Sequence, residues 1–415
     1  MREAHAHLPW HARALSMLNL AGCGSVGECL ELLAGAARGV EPGRWVLASG
    51  ARVEGWEERR WPTMAEMDRA CGGRACAVMS FDHHAVAVST RALELSRVIG
   101  DEPAGGVVCR GSDGEPTGVL LEAAAYQAWN AAPEPTRAQW RAMLPAAVQD
   151  LARHGFTEVH DLFAPAWLGP MLAEMERAGE LTVSVRLFAP LEAIEAEVGR
   201  SGAYTSGRVR LEGAKLFADG TLNSRTAWML HPYADPMPEY PRGKVIADAA
   251  AVRAAVERTA HLGVGLAVHA IGDGAVRAVL DGVEAAQRGG VRGARVRAEH
   301  CELVDAADVA RFARLGVVAS VQPCHLLADI EALNRHVPHR LERVLPLREL
   351  IDSGLRSGEG LLFGSDAPVV RPDPGDSVQA AVHRRRPGDG EAAQIAPGQA
   401  VTEAEAWACF GRASA

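Results

Sequence analysis

Seven short apolar runs, each followed by a stretch that leads on to the next, limit the architectures open to this chain more than any other feature. They lie at residues 155–162, 181–190, 209–219, 263–272, 294–303, 316–326 and 361–370. Helical spacing fills most of the intervals, as at residues 164–178, 249–261, 274–287 and 305–314. Such alternation builds parallel strands, because each crossover has to be long enough to hold a helix. A short segment around His5 supplies one more strand at the start, making eight. Eight strands in this order predict an α/β fold, a (β/α)8 TIM-like barrel, which usually takes ~250 residues. Residues 153–415 span close to that length. An open doubly wound sheet would call for a glycine-rich phosphate loop after the first strand, and none is present there.

Polar residues fall late in these runs, the end of barrel strands at which active sites sit. In 263–272, Gly265 and Ala267 alternate onto the face of His269, while Val264, Leu266 and Val268 take the other. Small residues suit a barrel interior and branched ones its contact with helices. By the same count Val296, Ala298 and His300 share a face, as do Leu362, Gly364 and Asp366. His5 and His7, two apart in Glu3-Ala4-His5-Ala6-His7, project to one side of the first strand. Two neutral imidazoles converging in this way can hold a borderline divalent ion such as zinc. Lys215 is the odd member, since an ammonium has no lone pair to offer. It joins a metal site only when deprotonated or carbamylated, and otherwise a salt bridge to Asp219 is its expected role. Any one of the histidines read alone is a hydrogen-bonded structural residue. Four histidines and an aspartate at one end of several strands are hard to obtain from packing alone.

Composition excludes several function classes. Hydrophobic residues make up 48% of the 415, enough for a sizeable core. The formal net charge of −9 argues against nucleic-acid binding, which needs a basic face. No apolar run is long enough for a membrane helix, and Met1-Arg2-Glu3-Ala4-His5 lacks the apolar centre of a signal peptide. The expectation is a cytoplasmic protein acting on a small molecule, with a homo-oligomer left open. Eight cysteines without a C-x-x-C pair read as reduced, packed thiols.

Residues 1–8 form the first barrel strand in this reading, and residues 9–152 an insertion that packs on the barrel and roofs the site. Within it, residues 26–37 have helical spacing, 45–48 and 75–79 read as strands, and 113–118 as a turn beside the pocket. Residues 153–415 make up the remainder of the barrel.

The segments REAHAHL (2–8), SFDHHAVAVSTRAL (80–93), DGEPTGVLLEAA (113–124), KLFADGTLNSRTA (215–227), VHAIGDGAV (268–276), RAEHC (297–301), VQPCH (321–325) and LLFGSDAPV (361–369) carry a closer resemblance. In their order they resemble the amidohydrolase superfamily, in the branch (amidohydrolase family 3) that includes N-substituted formamide deformylases. The resemblance implies a metal-dependent hydrolase barrel with His5 and His7 on the first strand and Lys215 on the fourth. His269, His300 and Asp366 follow on the fifth, sixth and eighth. It implies one or two ions, zinc or another divalent metal, held by these six residues. The implied activity is hydrolysis of a non-peptide carbon–nitrogen bond in an amide or N-acyl compound by a metal-activated water.

Asp366 is then the general base, and His269 or His325 stabilises the oxyanion. His325, expected late in the seventh strand, is assigned to substrate binding with His84 and Asp219. Asp273 and Glu299 orient the imidazoles, or else cap a helix or pair with Arg277 or Arg297. His160 and His231 read as structural. Two other functions stay open: an ester or lactone hydrolase with the same centre, and a non-catalytic barrel with a degraded metal site. Relatives of this kind carry a small β-sandwich before the first strand and after the barrel, and the expectation here is a barrel without those halves. Val88-Ser89-Thr90 stands where an Asn-Ser pair is usual, so a different substrate pocket is expected.

Overall fold

The computed structural model describes residues 1–40, 43–103 and 105–411. The chain forms two compact units, one of Met1–Ala12 with Leu144–Ala415 and the other of Arg13–Met143.

The larger unit contains eight parallel strands: β1 (Arg2–Ala6), β2 (Glu158–Asp161), β3 (Ser184–Pro190), β4 (Val209–Phe217), β5 (Gly265–Ala270), β6 (Val296–His300), β7 (Val318–Val321) and β8 (Leu361–Phe363). Each pairs with the next in chain order. The ring closes where Ala6 bridges Ala367, with His7 N donating to Ala367 O (2.9 Å) and Asp366 N to His5 O (2.7 Å). The expected (β/α)8 barrel is therefore the fold, and its closing seam runs through the backbone of three candidate ligands, His5, His7 and Asp366.

Helices Leu168–Arg177, Ala249–His261, Asp273–Arg288 and Ala306–Leu315 occupy the crossovers where periodicity placed them. Their ends follow local chemistry. Asp248 and Asp305 accept backbone N–H groups as N-caps, and Gly316 ends the last of the four in the left-handed conformation (φ 69°) that glycine adopts without penalty. One boundary differs from expectation: β7 stops at Val321, so His325 lies in the first turn of helix Pro323–His336 rather than on the strand. Proline cannot donate to a strand ladder and is preorganised for the first turn of a helix, so Pro323 makes the switch.

The interior contains more charge than the small-inside pattern implied. Ala267 packs with Leu162 and Phe188, which agrees with the β5 phase. In β6 the phase is the reverse of the one read from alternation. Arg297 reaches Ala4 O on β1 (2.6 Å), His160 Nδ1 on β2 (2.7 Å) and Ser320 Oγ on β7 (2.9 Å), and lies over the Phe188 ring of β3. A side chain that touches four strands of a ring lies inside it. Arg297 and Glu299 thus face inward, with Val296 and Ala298 on the opposite side. His300 still reaches the site because its backbone leaves the extended region (φ 71°), which breaks the two-residue alternation at the strand end. Asp366 is similar: β8 ends at Phe363 and the backbone at Asp366 is left-handed (φ 61°).

The smaller unit is built on a six-stranded sheet. Its strands run in the order Leu18–Asn19, Val46–Ala51, Cys76–Ser80, Ala85–Val88, Pro116–Leu121 and Val107–Arg110, parallel across the first three and antiparallel thereafter. Ser25 caps helix Val26–Gly39, whose Cys29 and Leu33 pack against Trp56 and Met67. The turn read at 113–118 is shorter: Gly111 N donates to Glu115 O, and Pro116 already opens a strand. All eight cysteines are free thiols. No helix among the described residues is long and apolar enough to cross a membrane. Glu403–Cys409 is helical, and residues 412–415 lie outside the described residues.

Candidate metal centre

β1 carries Glu3 and His5, His7 follows one residue past its end, and all three are buried. His5 Nε2 is 3.3 Å and His7 Nε2 3.0 Å from Asp366 Oδ1. The His5 and His300 ring centroids are 4.8 Å apart, and those of His269 and His300 4.5 Å. Ligand atoms of His5, His300 and Asp366 all lie within 4.8 Å of one another, close enough to share one ion. Lys215 Nζ is 3.5 Å from His5 Nε2. Five of the six expected ligands are thereby placed against His5 or Asp366, and His269 enters through His300.

The donor chemistry suits a cation. Among the described residues, His7 Nδ1 and His300 Nδ1 are buried without a hydrogen-bond partner. Orphaned acceptors in a dry interior are costly unless something satisfies them. Burial drives His5 down to about 4, with Lys215 adding to the effect, and drives His300 well below its usual range. Neutral imidazoles with available lone pairs are what a metal requires. Burial pushes Asp366 up, but the surrounding histidines, among them His7 through the hydrogen bond from its Nε2 (3.0 Å), outweigh it and hold the carboxyl well below its usual range.

Lys215 is buried and makes no ion pair among the described residues; its ammonium lies 5.2 Å from the centroid of the Phe217 ring. Burial drives the amine down to about 8, against the pull of Glu299 and Asp366. The salt bridge to Asp219 is absent because Asp219 is otherwise engaged. Its Oδ1 accepts from Ile271 N (3.0 Å), and its Oδ2 from Gly272 N (2.8 Å) and Trp228 N (2.9 Å). Asp219, expected to meet substrate, is thus fully buried and ties the loop after β4 to the end of β5. The same loop positions His269, whose Nε2 donates to Gly220 O (3.0 Å), leaving Nδ1 as the lone-pair nitrogen.

His325 stands with its ring centroid 6.0 Å from that of His300. Its Nε2 is 3.3 Å from Ser365 O and its Nδ1 3.6 Å from Glu302 Oε1. Burial lowers its affinity for a proton, but Glu302 and Asp366 outweigh burial and push it up to about 9, so it is an imidazolium at neutral pH. Ligand atoms of His300, Glu302 and His325 also lie within 4.8 Å of one another. His84 belongs to the smaller unit, where its Nδ1 is 2.7 Å from Glu122 Oε2.

The two residues expected to orient imidazoles differ. Glu299 Oε2 is 2.8 Å from His5 Nδ1 on the far side of the barrel, while its other oxygen pairs with Arg297. Asp273 accepts from Leu230 N (2.8 Å) and pairs with Arg340 rather than Arg277. Glu3 escaped the sequence reading although alternation puts it on the face of His5. Its Oε1 accepts from His5 N (3.0 Å) and Ser365 N (2.9 Å), stapling β1 to the loop after β8.

Comparison with known proteins agrees with this geometry. The sequence pattern of the amidohydrolase family matches residues 1–415. The putative amidohydrolase YtcJ of Bacillus subtilis (strain 168) is 27% identical over 394 residues, covering 92% of this chain and 72% of that protein. The N-substituted formamide deformylase of Arthrobacter pascens is 26% identical over 426 residues, covering 97% and 76%. Among solved structures, an uncharacterised metal-dependent hydrolase from Pyrococcus horikoshii OT3 superposes with a TM-score of 0.75 at 24% identity, covering 99% of this chain and 79% of its own. One from Pyrococcus furiosus does so at 0.71 and 26%, covering 98% and 80%. With its whole length matched by the family pattern, and histidines, a lysine and an aspartate gathered at the strand ends of a closed barrel, the chain belongs to the amidohydrolase family of metal-dependent hydrolases.

Proposed function

We propose that this chain hydrolyses a non-peptide carbon–nitrogen bond in a small amide or N-acyl compound, in the cytoplasm, using one or two zinc-class ions held by His5, His7, Lys215, His269, His300 and Asp366. The ion, when bound, supplies Lewis-acid polarisation of a water and of the scissile carbonyl. Asp366 accepts the proton of the attacking water and passes it to the leaving nitrogen. His325, a buried imidazolium, donates a hydrogen bond to the oxygen on which negative charge develops. Lys215 is carboxylated on Nζ in this reading: its amine adds to carbon dioxide, releasing a proton and leaving a carbamate whose oxygens would serve as metal ligands where the ammonium could not. An amine pushed down to about 8 and lacking an ion-pair partner among the described residues supports that step.

The observation that carries the reading is the convergence of buried ligand atoms of His5, His300 and Asp366 within 4.8 Å of one another. Elemental analysis of protein grown with added zinc tests it. At least one equivalent per chain, lost together with amide hydrolysis on chelation, is the expected result; less than a tenth of an equivalent favours a non-catalytic barrel. A side-by-side panel of N-acyl amides, esters and lactones separates the amidase from an ester hydrolase with the same centre. Among N-substituted amides, formamides are the first to try, because one relative matched over 97% of this chain is an N-substituted formamide deformylase.

A further inference from the structure

An unbroken line of polar contacts crosses the barrel interior and ends on the candidate centre. Glu158 Oε1 accepts from Arg2 Nε (2.9 Å) and lies 3.2 Å from His160 Nε2. His160 Nδ1 is 2.7 Å from Arg297 Nη1. Arg297 Nε donates to Glu299 Oε1 (2.8 Å), and Glu299 Oε2 lies 2.8 Å from His5 Nδ1. Glu158, His160, Arg297, Glu299 and His5 are all buried.

This order leaves little freedom to the protons. A guanidinium only donates, so His160 Nδ1 is an acceptor and the ring's proton sits on Nε2, given to Glu158. Arg297 donates to both oxygens of Glu299, from Nε to Oε1 (2.8 Å) and from Nη2 to Oε2 (3.2 Å), the forked pairing of a guanidinium with a carboxylate. An ionised carboxylate only accepts, so the His5 proton sits on Nδ1, and Nε2 turns its lone pair toward Asp366 and Lys215. Arg297 can serve Glu299 in this pose only while its remaining N–H groups are satisfied, and His160, Ala4 O and Ser320 Oγ do that.

We propose that His160 and Arg297 are positioning residues which, through Glu299, hold His5 in the Nδ1–H tautomer and so present its Nε2 as a metal ligand. The consequence for metal binding rests on the hydrolase reading above; the tautomer does not. Without the His160 acceptor, Arg297 has an unpaired donor in a dry interior and turns toward Glu158, loosening Glu299 and with it His5. Outer partners of ligating histidines commonly act this way, fixing tautomer and ring orientation.

Two substitutions at one position isolate the effect. His160→Gln offers one acceptor and one donor in the same place, whereas His160→Leu fills the volume with neither. Long-range 15N–1H spectra of histidine-labelled, metal-stripped protein read the His5 tautomer, and chelator competition reads zinc affinity. The wild type and H160Q are expected to show Nδ1–H at His5, and H160L a mixture. Zinc affinity is expected to fall about 10-fold or more in H160L and to stay near wild type in H160Q. Should H160L fail to fold, Arg297→Lys replaces it: a lysine keeps the charge but lacks the fork that holds His160, Glu299 and Ala4 O together, and the same loss is expected. An unchanged tautomer in H160L, or an unchanged zinc affinity where the wild type binds zinc, overturns the proposal. If the wild type binds no zinc at all, the hydrolase reading fails, and the tautomer measurement alone decides this inference.

Discussion

Gly364 lies so close to His5 that a Cβ on it would sit 2.7 Å from the His5 backbone nitrogen and 2.7 Å from Glu3 Oε1. Real Cβ atoms do not approach backbone atoms this closely, so any larger residue moves β8 away from β1. The contact lies on the seam that closes the barrel and carries three candidate ligands, His5, His7 and Asp366. Gly364→Ala is therefore expected to destabilise the fold by about 1–3 kcal/mol, as overpacking does, and to weaken metal retention beyond what the stability loss alone explains. Urea unfolding and metal analysis of the folded fraction check the two effects separately.

Asp366 combines three properties: a left-handed backbone, a buried ionised carboxylate and proximity to three imidazoles. Alanine at this φ is disfavoured by about 1–2 kcal/mol, whereas asparagine tolerates it, so Asp366→Asn is the cleaner probe of chemistry. An amide cannot accept the proton of the attacking water, and kcat is expected to fall by ~10²–10⁴ with thermal stability little changed. Full activity in D366N would remove Asp366 from the role of base.

Much of this organisation was legible in the sequence because it rests on short-range regularities. Eight strands follow from seven apolar runs and the segment around His5, and the helix at Ala249–His261 from its spacing. His5, His7 and Asp366 meet because they stand at the ends of adjacent strands of a closed ring. What was not legible depends on backbone angles and long-range packing. Alternation assigns Arg297 and Glu299 to the outside of β6, and only the left-handed turn at His300 reconciles an inward Glu299 with an inward His300. Pro323 does mark the end of β7, and weighing it more heavily would have put His325 on the helix. Glu3 was visible too, since it shares the alternation of His5 and His7. In the smaller unit, strands such as Leu18–Asn19 are too short for periodicity to register.

Asp219 accepts three backbone N–H groups from two separate loops, which are also joined by Gly274 N donating to Trp228 O (2.9 Å). Asp219→Ala strands those donors in the interior. A loss of about 3 kcal/mol or more is expected, given ~1–3 kcal/mol for each buried donor left unmade and partial relaxation of the loops. His269 is expected to be displaced with them, since its Nε2 bonds to Gly220 O beside this junction. Guanidinium denaturation measures the first effect and a lowered metal stoichiometry in native buffer the second. A variant with wild-type stability would show that the loops are held by other contacts.

His160 sets a pH dependence whose sign follows from burial. Burial pulls it down to about 4, with Arg297 adding to that and Glu158 opposing it. The unfolded chain takes up a proton at this residue near 6.5, and the folded one declines it until about 4. The neutral ring therefore contributes stability that is fully present above pH 6.5 and is lost progressively as pH falls through this window. A difference of this size corresponds to about 3 kcal/mol. Glutamine at position 160 does not titrate, so the unfolding free energy of metal-stripped H160Q is expected to fall less steeply than that of the wild type between pH 6.5 and 4. Parallel slopes in urea titrations across that range would show that His160 is already charged in the folded protein and that Arg297 takes another partner.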